Sequence, residues 1–275
     1  MHAAYANALL KDDQWNCKKR AVVTMDRKLT IHGLQGIPSI REGDDLGKII
    51  VDAANRQSLP LTKGDVLVVA QKVISKSEGS TVDLRKVTPS TFAKKIARRA
   101  RKEPSHVEVI LNQTKEIIRM QDHHLITETH HGFVCANAGV DRSNVEGESS
   151  VSLLPKDSDL SAKRLRKRIR ELTGVDVAVI VSDTFGRPWR VGQINLAIGV
   201  SGMKPLIDYR GRKDLYGRSL KLTVMAVADE LASAGELVMR KSDGIPVAVI
   251  RGHRYPRGVG SAKEIVRPRE LDLFR

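Results

Sequence analysis

The feature that most constrains the fold is an apolar run over residues 177–182, VAVIVS, which stops at Asp183 and Thr184. A run this short and this apolar is typical of a buried strand. A carboxylate, a hydroxyl, a glycine and two arginines, Arg187 and Arg190, follow it directly. Hard cations prefer oxygen ligands, and guanidinium groups bind phosphate and carboxylate groups. The sequence therefore predicts a site for a metal ion and an anionic substrate, with a helix N-cap at Asp183 as the alternative.

Other segments predict short strands and helices in irregular alternation. Strands are expected over 66–74, 115–119, 125–129, 133–136 and 246–251. Helices are expected over 44–55, 91–102, 105–113, 160–172 and 224–239, with residues 145–158 as a loop. This mixture indicates an α+β fold with a mixed sheet rather than a regular β-α-β series.

The helix predicted over 160–172 carries a run of basic side chains beside an apolar stripe. Ser158 or Asp159 is expected to cap it. The stripe consists of Leu160, Leu165, Ile169 and Leu172. Its basic face is typical of a solvated surface that attracts anions in general.

The charge balance limits the partners. The chain has 47 Lys and Arg against 32 Asp and Glu, a net charge of +15, which favours anionic partners such as nucleotides, phosphorylated metabolites, nucleic acid or an acidic membrane surface. Proteins that read nucleic acids usually present aromatic side chains, and these make up only 4% of this chain. No apolar run is long enough to span a membrane. We therefore expect neither nucleic acid nor a membrane as a partner.

Residues 1–27 differ from the rest because they are polar and have no sustained period. They are expected to form a mobile N-terminal extension, with Met25 as an alternative start, and they make a poor signal peptide. The ordered region is expected over 28–275. Cys17 and Cys135 form neither a disulfide framework nor a metal cluster, and Cys135 is expected in the core. A reduced, cytoplasmic setting is the natural expectation.

Three polar segments that follow apolar strands are candidates for a nucleotide site, because the chain has no P-loop and no GxGxxG motif. In the segment 75–79, Lys76 is a phosphate ligand or a surface turn lysine. In the segment 141–144, Asp141 is a candidate metal ligand, and Asn144 binds a nucleotide or forms an Asx turn. The third segment is Asp183-Thr184. The paired histidines lack zinc spacing, although His131 is a candidate for substrate contact.

Six segments, in order along the chain, resemble the coenzyme F420-0:γ-glutamyl ligase family. They are GIPSIREGDD (36–45), GDVLVVAQKVISKSEG (64–79), ITETHHGFVCANAGVDRSN (126–144), VSDTFGRPWRVGQ (181–193), DYRGRKDLYGR (208–218) and VADELASAGELVMRKSDGIPVAVIRG (227–252). An ordered set of long matches is far more specific than any single motif.

The resemblance implies an α+β, mixed-sheet fold of two intimately joined subdomains within residues 28–275, and a homodimer. It implies a ligase that uses GTP and Mg²⁺ or Mn²⁺, with a monovalent cation such as K⁺ as a further option. The reaction implied is addition of L-glutamate to coenzyme F420-0, and of further γ-linked glutamates, through an acyl phosphate.

The resemblance also implies roles for individual residues. Asp141, Asp183 and Thr184 look like metal ligands, and the catalytic candidates are Asp141 and Asp183, with Arg187 added on chemical grounds and not from the resemblance. The implied GTP pocket consists of Ile37, Pro38, Ser39, Ile40, Gln71, Lys76, Asn144, Met239, Arg240, Lys241, Ser242, Asp243, Gly244, Ile245 and Pro246. The resemblance names the substrate F420-0 but not the residues that bind it. Arg187, Arg190 and His131 are chosen as its contacts from the chemistry of their side chains.

Two positions depart from the pattern of archaeal members. Gln71-Lys72 stands where those members have small hydroxyl residues, and Lys241 stands where they have a glutamine near a second metal ion. A lysine there replaces some metal charge, which puts occupancy by two metal ions in question. Two alternatives stay open: a ligase of the same fold for another carboxylate or amino acid, and a basic nucleic-acid-binding protein.

Overall fold

The computed structural model describes residues 28–143, 147 and 149–273. Within these residues, twelve strands, β1 to β12, cover Thr30–Gly33, Val66–Ala70, Thr81–Asp83, Thr114–Gln121, His124–Thr129, Val134–Ala136, Ser150–Ser152, Ala178–Arg187, Arg190–Ser201, Ile207–Asp208, Val224–Met225 and Val247–Arg251. The six α-helices of the same residues, α1 to α6, cover Leu46–Arg56, Gln71–Ser77, Thr91–Ala100, Pro104–Asn112, Ser158–Thr173 and Val227–Met239. The fold predicted from the sequence, α+β with a mixed sheet, is confirmed.

A five-stranded sheet of order β1-β12-β2-β8-β9 forms the centre. Of its four neighbouring pairs, β2 and β8 alone are parallel, and Val66 lies opposite Ala178 in that register. The pairs on either side are antiparallel. Because β2 and β8 run in the same direction, both end at the same edge of the sheet.

Strands β12 and β2 and the first half of β8 are buried on both faces, which explains why these segments are almost continuously apolar. Leu67, Val69 and Val179 face one side and pack with α1 and α5, whereas Val68 and Ile180 face the other side and pack with α6. All five side chains have 0% exposure. Each such burial contributes about 1.5–3 kcal/mol relative to an exposed side chain.

One glycine lets α5 lie close against the sheet. A Cβ atom at Gly199 would lie 2.3 Å from the carbonyl oxygen of Ser158, at the start of α5. Asp157 caps that helix through the backbone N–H of Leu160, so the predicted cap, Ser158 or Asp159, is wrong by one or two residues. The predicted apolar stripe is also only half correct. Leu165 and Ile169 are buried, but Leu160 is 40% exposed and Leu172 38% exposed.

Residues 81–152 contain a second packing centre. The antiparallel strands β4, β5 and β6 form one small sheet, and β3 pairs with β7 in another. Helices α3 and α4 pack beside them, around Ile110, Leu125 and Val151. The division into two subdomains that is expected from the sequence, and its boundary, stay predictions.

Four predicted elements need correction. The strand predicted over 66–74 ends at Ala70, and α2 follows at once, so Lys76 lies on a helix rather than in a loop. The strand predicted over 177–182 continues to Arg187 and turns back into β9, which rules out the helix N-cap at Asp183. The predicted loop over 145–158 contains β7, and α6 begins at Val227 rather than 224.

The expectations for residues 1–27, including Met25 and Cys17, lie outside the described residues. In the described part of the chain, no helix combines the length and the apolarity needed to cross a membrane. Cys135 is buried at 7% exposure, as the sequence predicts.

Candidate active site

The candidate site lies at the edge of the sheet where β2 and β8 end together. Ala70 pairs with Ser182, so Gln71 and Asp183 are the next residues along the two chains. Gln71 and Ser182 are buried at 1% and 2% exposure. The Gln71 Nε2 and Ser182 Oγ atoms find no hydrogen-bond partner among the described residues. Buried polar atoms without partners are costly, so both groups lower stability at this edge of the sheet.

Asp183 is the acidic centre of this edge. Burial raises the pKa of its carboxyl to about 7, although the Thr184 backbone N–H and the Lys72 and Lys241 charges lower it. The nearby Asp141 carboxylate adds to the rise. The effect of burial on this pKa exceeds the effect of the neighbouring positive charges. A cation bound beside the carboxyl would therefore favour its ionised form.

Asp141 lies in an isolated bridge with Ser152, at the end of the segment that follows β6. Its Oδ2 atom lies 2.7 Å from the Lys72 ammonium, and its Oδ1 atom accepts from the Ser143 backbone N–H at 2.8 Å. Lys72 also donates to the Ser143 hydroxyl. Burial alone would raise the pKa of Asp141, but Lys72 and Ser143 together hold it below its usual range. Asp141 is therefore an ionised group that already pairs with a lysine.

Thr184 faces a different set of groups from Asp183, because neighbouring residues on a strand point to opposite faces. Its hydroxyl donates to Asn195 Oδ1 at 2.8 Å and accepts from the Lys241 ammonium at 2.5 Å. Lys241 also lies 3.1 Å from Asn195 Oδ1 and 3.0 Å from Glu236 Oε1. The result is a cluster of three oxygen-bearing side chains around one ammonium group, which we call the Lys241 cluster.

The loop Met239–Pro246 connects α6 to β12 and runs beside this edge. Pro246 accepts a hydrogen bond from the Ala70 backbone N–H at 2.9 Å, which places the end of the loop next to Gln71. Met239 is buried at 2% exposure, whereas the loop residues Arg240, Lys241, Ser242, Asp243 and Gly244 are exposed. The structure thus brings the Lys241 side of the predicted GTP loop against Thr184.

The segment Ile37-Pro38-Ser39-Ile40 follows β1 as irregular chain. Ile40 is buried at 5% exposure, while Pro38 and Ser39 are exposed. A few residues further on, Gly43 donates its backbone N–H to Ser77, the last residue of α2. The segment therefore adjoins the helix that carries Lys72 and the half-buried Lys76.

Arg187 and Arg190 lie at the far end of the β8–β9 hairpin. They are paired across the two strands, and Arg187 Nη1 donates to the Gly192 carbonyl at 3.1 Å. Trp189 at the turn has a positive φ of 63° and is 87% exposed. Cross-strand partners project from the same face of a hairpin, so two cationic side chains at this pair suit an anionic substrate. No hydrogen bond or ion pair of the described residues joins them to Asp141 or Asp183.

His131 contributes mainly to packing. Its Nε2 atom lies 2.9 Å from the Pro155 carbonyl oxygen and 3.1 Å from that of Lys156. Its ring stacks on Phe133 at 6.0 Å between centroids, and Phe133 reaches Phe185 of β8 at 6.3 Å. A cavity of about 300 Å³ opens beside His131 and Arg267. Substrate contact by His131 stays a prediction, and Asn144 lies outside the described residues.

Two residues of the site escaped sequence analysis. Asn195 is 3% exposed and lies within the apolar run 194–200 of β9, and Glu236 lies near the end of α6. Asn195 Nδ2 donates to Glu236 Oε2 at 3.0 Å. The one available signal was an amide inside an apolar run, INLAIGV, where a polar side chain needs a partner.

The donor set fits a hard divalent cation that also binds a nucleotide. No group of three or more His, Cys, Asp or Glu side chains suited to a metal occurs in the described ranges. Mg²⁺ typically uses one or two protein carboxylates together with substrate phosphates and water. Asp141 and Asp183 supply two carboxylates, and burial raises the pKa of Asp183. Their role as metal ligands stays a prediction.

Comparisons with known proteins give a consistent result. A family model described as F420-0:Gamma-glutamyl ligase matches residues 35–252. A protein of Methanothermobacter thermautotrophicus named Coenzyme F420:L-glutamate ligase is 46% identical over 250 residues, covering 90% of this chain and 99% of that protein. Proteins of the same name from Methanocaldococcus jannaschii and Methanopyrus kandleri are 45% and 48% identical, covering 90% and 86% of this chain and 98% and 93% of their own lengths.

Proposed function

The chain belongs to the F420-0:γ-glutamyl ligase family, and on this premise we propose that it joins L-glutamate to coenzyme F420-0 with GTP and Mg²⁺ or Mn²⁺. Relatives that carry the name Coenzyme F420:L-glutamate ligase match nearly the full length of this chain. The observation that carries the proposal for the site is the meeting of Asp141, Lys72 and Asp183 at the shared end of β2 and β8.

The proposed reaction passes through an acyl phosphate. An oxygen of the F420-0 carboxylate attacks the γ-phosphorus of GTP, and GDP leaves. The amine of glutamate then attacks the acyl carbon, phosphate leaves, and the amine loses a proton as the amide forms. Two anions meet in the first step, so positive charge at the site must offset their repulsion.

The residues of this edge have distinct proposed tasks. Asp141 and Asp183 hold the divalent ion, which when bound supplies Lewis-acid screening of phosphate charge. Lys72 fixes the Asp141 carboxylate and adds a positive charge of its own. Arg187 and Arg190 bind the carboxylate or phosphate of F420-0. Ile37–Ile40, Lys76 and the Met239–Pro246 loop border the nucleotide.

A homodimer is part of the proposal. Large apolar side chains are exposed at the β8–β9 turn and along residues 207–225, which form a small two-stranded arm with β10 and β11. Trp189, Val191, Leu215, Tyr216 and Leu222 are 87–99% exposed. Concentrated exposed apolar groups are typical of an interface. Light scattering should give twice the chain mass of 30.4 kDa, and a monomer would contradict this part.

The test of the proposal is direct. Pure protein incubated with F420-0, GTP, Mn²⁺ and L-glutamate should release GDP and yield F420-0 with one or more added glutamates, read by mass spectrometry. A panel of other carboxylates and amino acids, and ATP in place of GTP, serves as the comparison. If GDP and a product form only with a carboxylate other than F420-0, the protein is a different ligase. If no combination of substrates gives a product, the proposal is overturned.

A further inference from the structure

The Lys241 cluster has the form of an occupied cation site. Its ammonium lies 2.5 Å from Thr184 Oγ1, 3.1 Å from Asn195 Oδ1 and 3.0 Å from Glu236 Oε1. A hydroxyl, an amide oxygen and a carboxylate are the ligands that hard cations prefer. These three side chains come from β8, β9 and α6, so the tertiary fold rather than local sequence assembles them.

The oxygens point inwards because neighbouring hydrogen bonds orient them. Asn195 donates its amide nitrogen to Glu236 Oε2 at 3.0 Å, which turns its oxygen towards Lys241. That oxygen also accepts from the Thr184 hydroxyl at 2.8 Å, so the lone pair of Thr184 is left for the ammonium. Asn195 is only 3% exposed, and it therefore cannot satisfy its oxygen with bulk water.

An ordinary surface ion pair does not account for this arrangement. The Lys48–Asp52 pair is such a case: its N–O distance is 2.6 Å, and the lysine is 60% exposed. Lys241 is similarly exposed at 59%, yet its ammonium reaches three groups, and Glu236 is only 23% exposed. Lys241 follows Arg240, whose positive φ of 50° turns the chain back towards the sheet at the end of α6.

We propose that the Lys241 ammonium is a tethered cation that fills an oxygen site formed by Thr184, Asn195 and Glu236, in place of a free metal ion. The tethered charge binds Thr184, the residue that follows Asp183 in β8, and from there it contributes to screening of the anionic substrates. This inference rests on the proposed active site, which then binds one fewer divalent ion than the oxygen donors would allow.

The test counts bound ions. Mn²⁺ bound per chain is measured by electron paramagnetic resonance at saturating GTP, for the wild type and for Lys241→Ala. The variant should bind one more Mn²⁺ per chain than the wild type. Lys241→Ser tests the same point should the alanine variant fail to fold. Adding Glu236→Gln to Lys241→Ala should remove the extra ion, because it removes the carboxylate.

Lys48→Ala is the matched control, since it removes an equally exposed lysine from an ion pair elsewhere. It should leave the count unchanged. Equal counts for Lys241→Ala and the wild type would overturn the inference, as would an extra ion in Lys48→Ala. The ion count is independent of turnover. A wild-type protein that makes no glutamylated product refutes the proposed function, and the inference is still supported if Lys241→Ala then gains the ion.

Discussion

Removal of the Asp65 carboxylate should destabilise the protein without touching the candidate site. Asp65 is 1% exposed and lies just before β2. It accepts from Arg251 Nε and Nη2, both at 2.8 Å, and from the Thr62 backbone N–H at 2.8 Å. These contacts fix the end of β12 to the start of β2, at the opposite end of the sheet from Gln71.

The structure sets the expected size of the effect. Breaking a buried ion pair by removing one partner costs about 3–5 kcal/mol. Arg251 is 33% exposed and keeps its hydrogen bond to the Pro60 carbonyl. The free energy of unfolding that Asp65→Asn removes should therefore lie near the lower end of this range, at about 3 kcal/mol. Arg251→Met leaves a buried carboxylate without its cation and should cost roughly 4 kcal/mol.

Urea unfolding measures these free energies. The midpoint should fall while the slope stays the same. In the double variant, the loss of stability should be smaller than the sum of the single losses by about 2 kcal/mol, because the two groups interact directly. Additive losses would refute the interpretation that Asp65 and Arg251 act as a pair. Ligase turnover at a temperature where the variants are folded should match the wild type.

Three further results are expected. Asp183→Asn should lower the ligase kcat at least ~100-fold with an unchanged circular dichroism spectrum, because it removes a proposed ligand of the metal ion, and near-normal turnover would remove Asp183 from the site. Burial raises the pKa of Cys135 to about 12, so iodoacetamide at pH 8 should label it only in urea, as peptide mass spectrometry can show. Burial, with Arg142 and Lys102 nearby, lowers the pKa of His106 from 6.5 to about 4. The melting temperature should therefore fall as the pH drops from 6.5 towards 4, and less steeply in His106→Gln.

The sequence predicted the buried strands but not where all of them end. The segment QKVIS (71–75), directly after β2, continues the apolar run with the β-branched residues Val73 and Ile74, which are typical of a strand. In the structure it is helical, and Ser75 donates its hydroxyl to Gln71 one turn earlier at 2.8 Å. In β8, by contrast, polar residues as far as Arg187 stay in the strand because β9 pairs with them. Contacts with other parts of the fold determine both the end of β2 and the length of β8, and the composition of the segment alone does not reveal these contacts.

The same reasoning explains which site residues could be predicted. Asp141 and Asp183 each follow an apolar run, and a carboxylate in that position is a signal within the local sequence. Asn195 and Glu236 lie inside mainly apolar segments. They can be recognised as site residues only because Asn195 pairs with Thr184 across β8 and β9. No local pattern encodes that register, so the oxygen cluster around Lys241 could be recognised only in three dimensions.

The order of strands in the central sheet has a consequence for folding during synthesis. Strand β12 lies between β1 and β2, although it is made last of the three. The parallel pair β2 and β8 also forms only after the chain from Gln71 to Val177 has been made. Contacts so distant in sequence carry a large loop-closure cost and slow folding. The sheet is therefore expected to close only after β12 has left the ribosome, while the local hairpin β4–β5 forms well before.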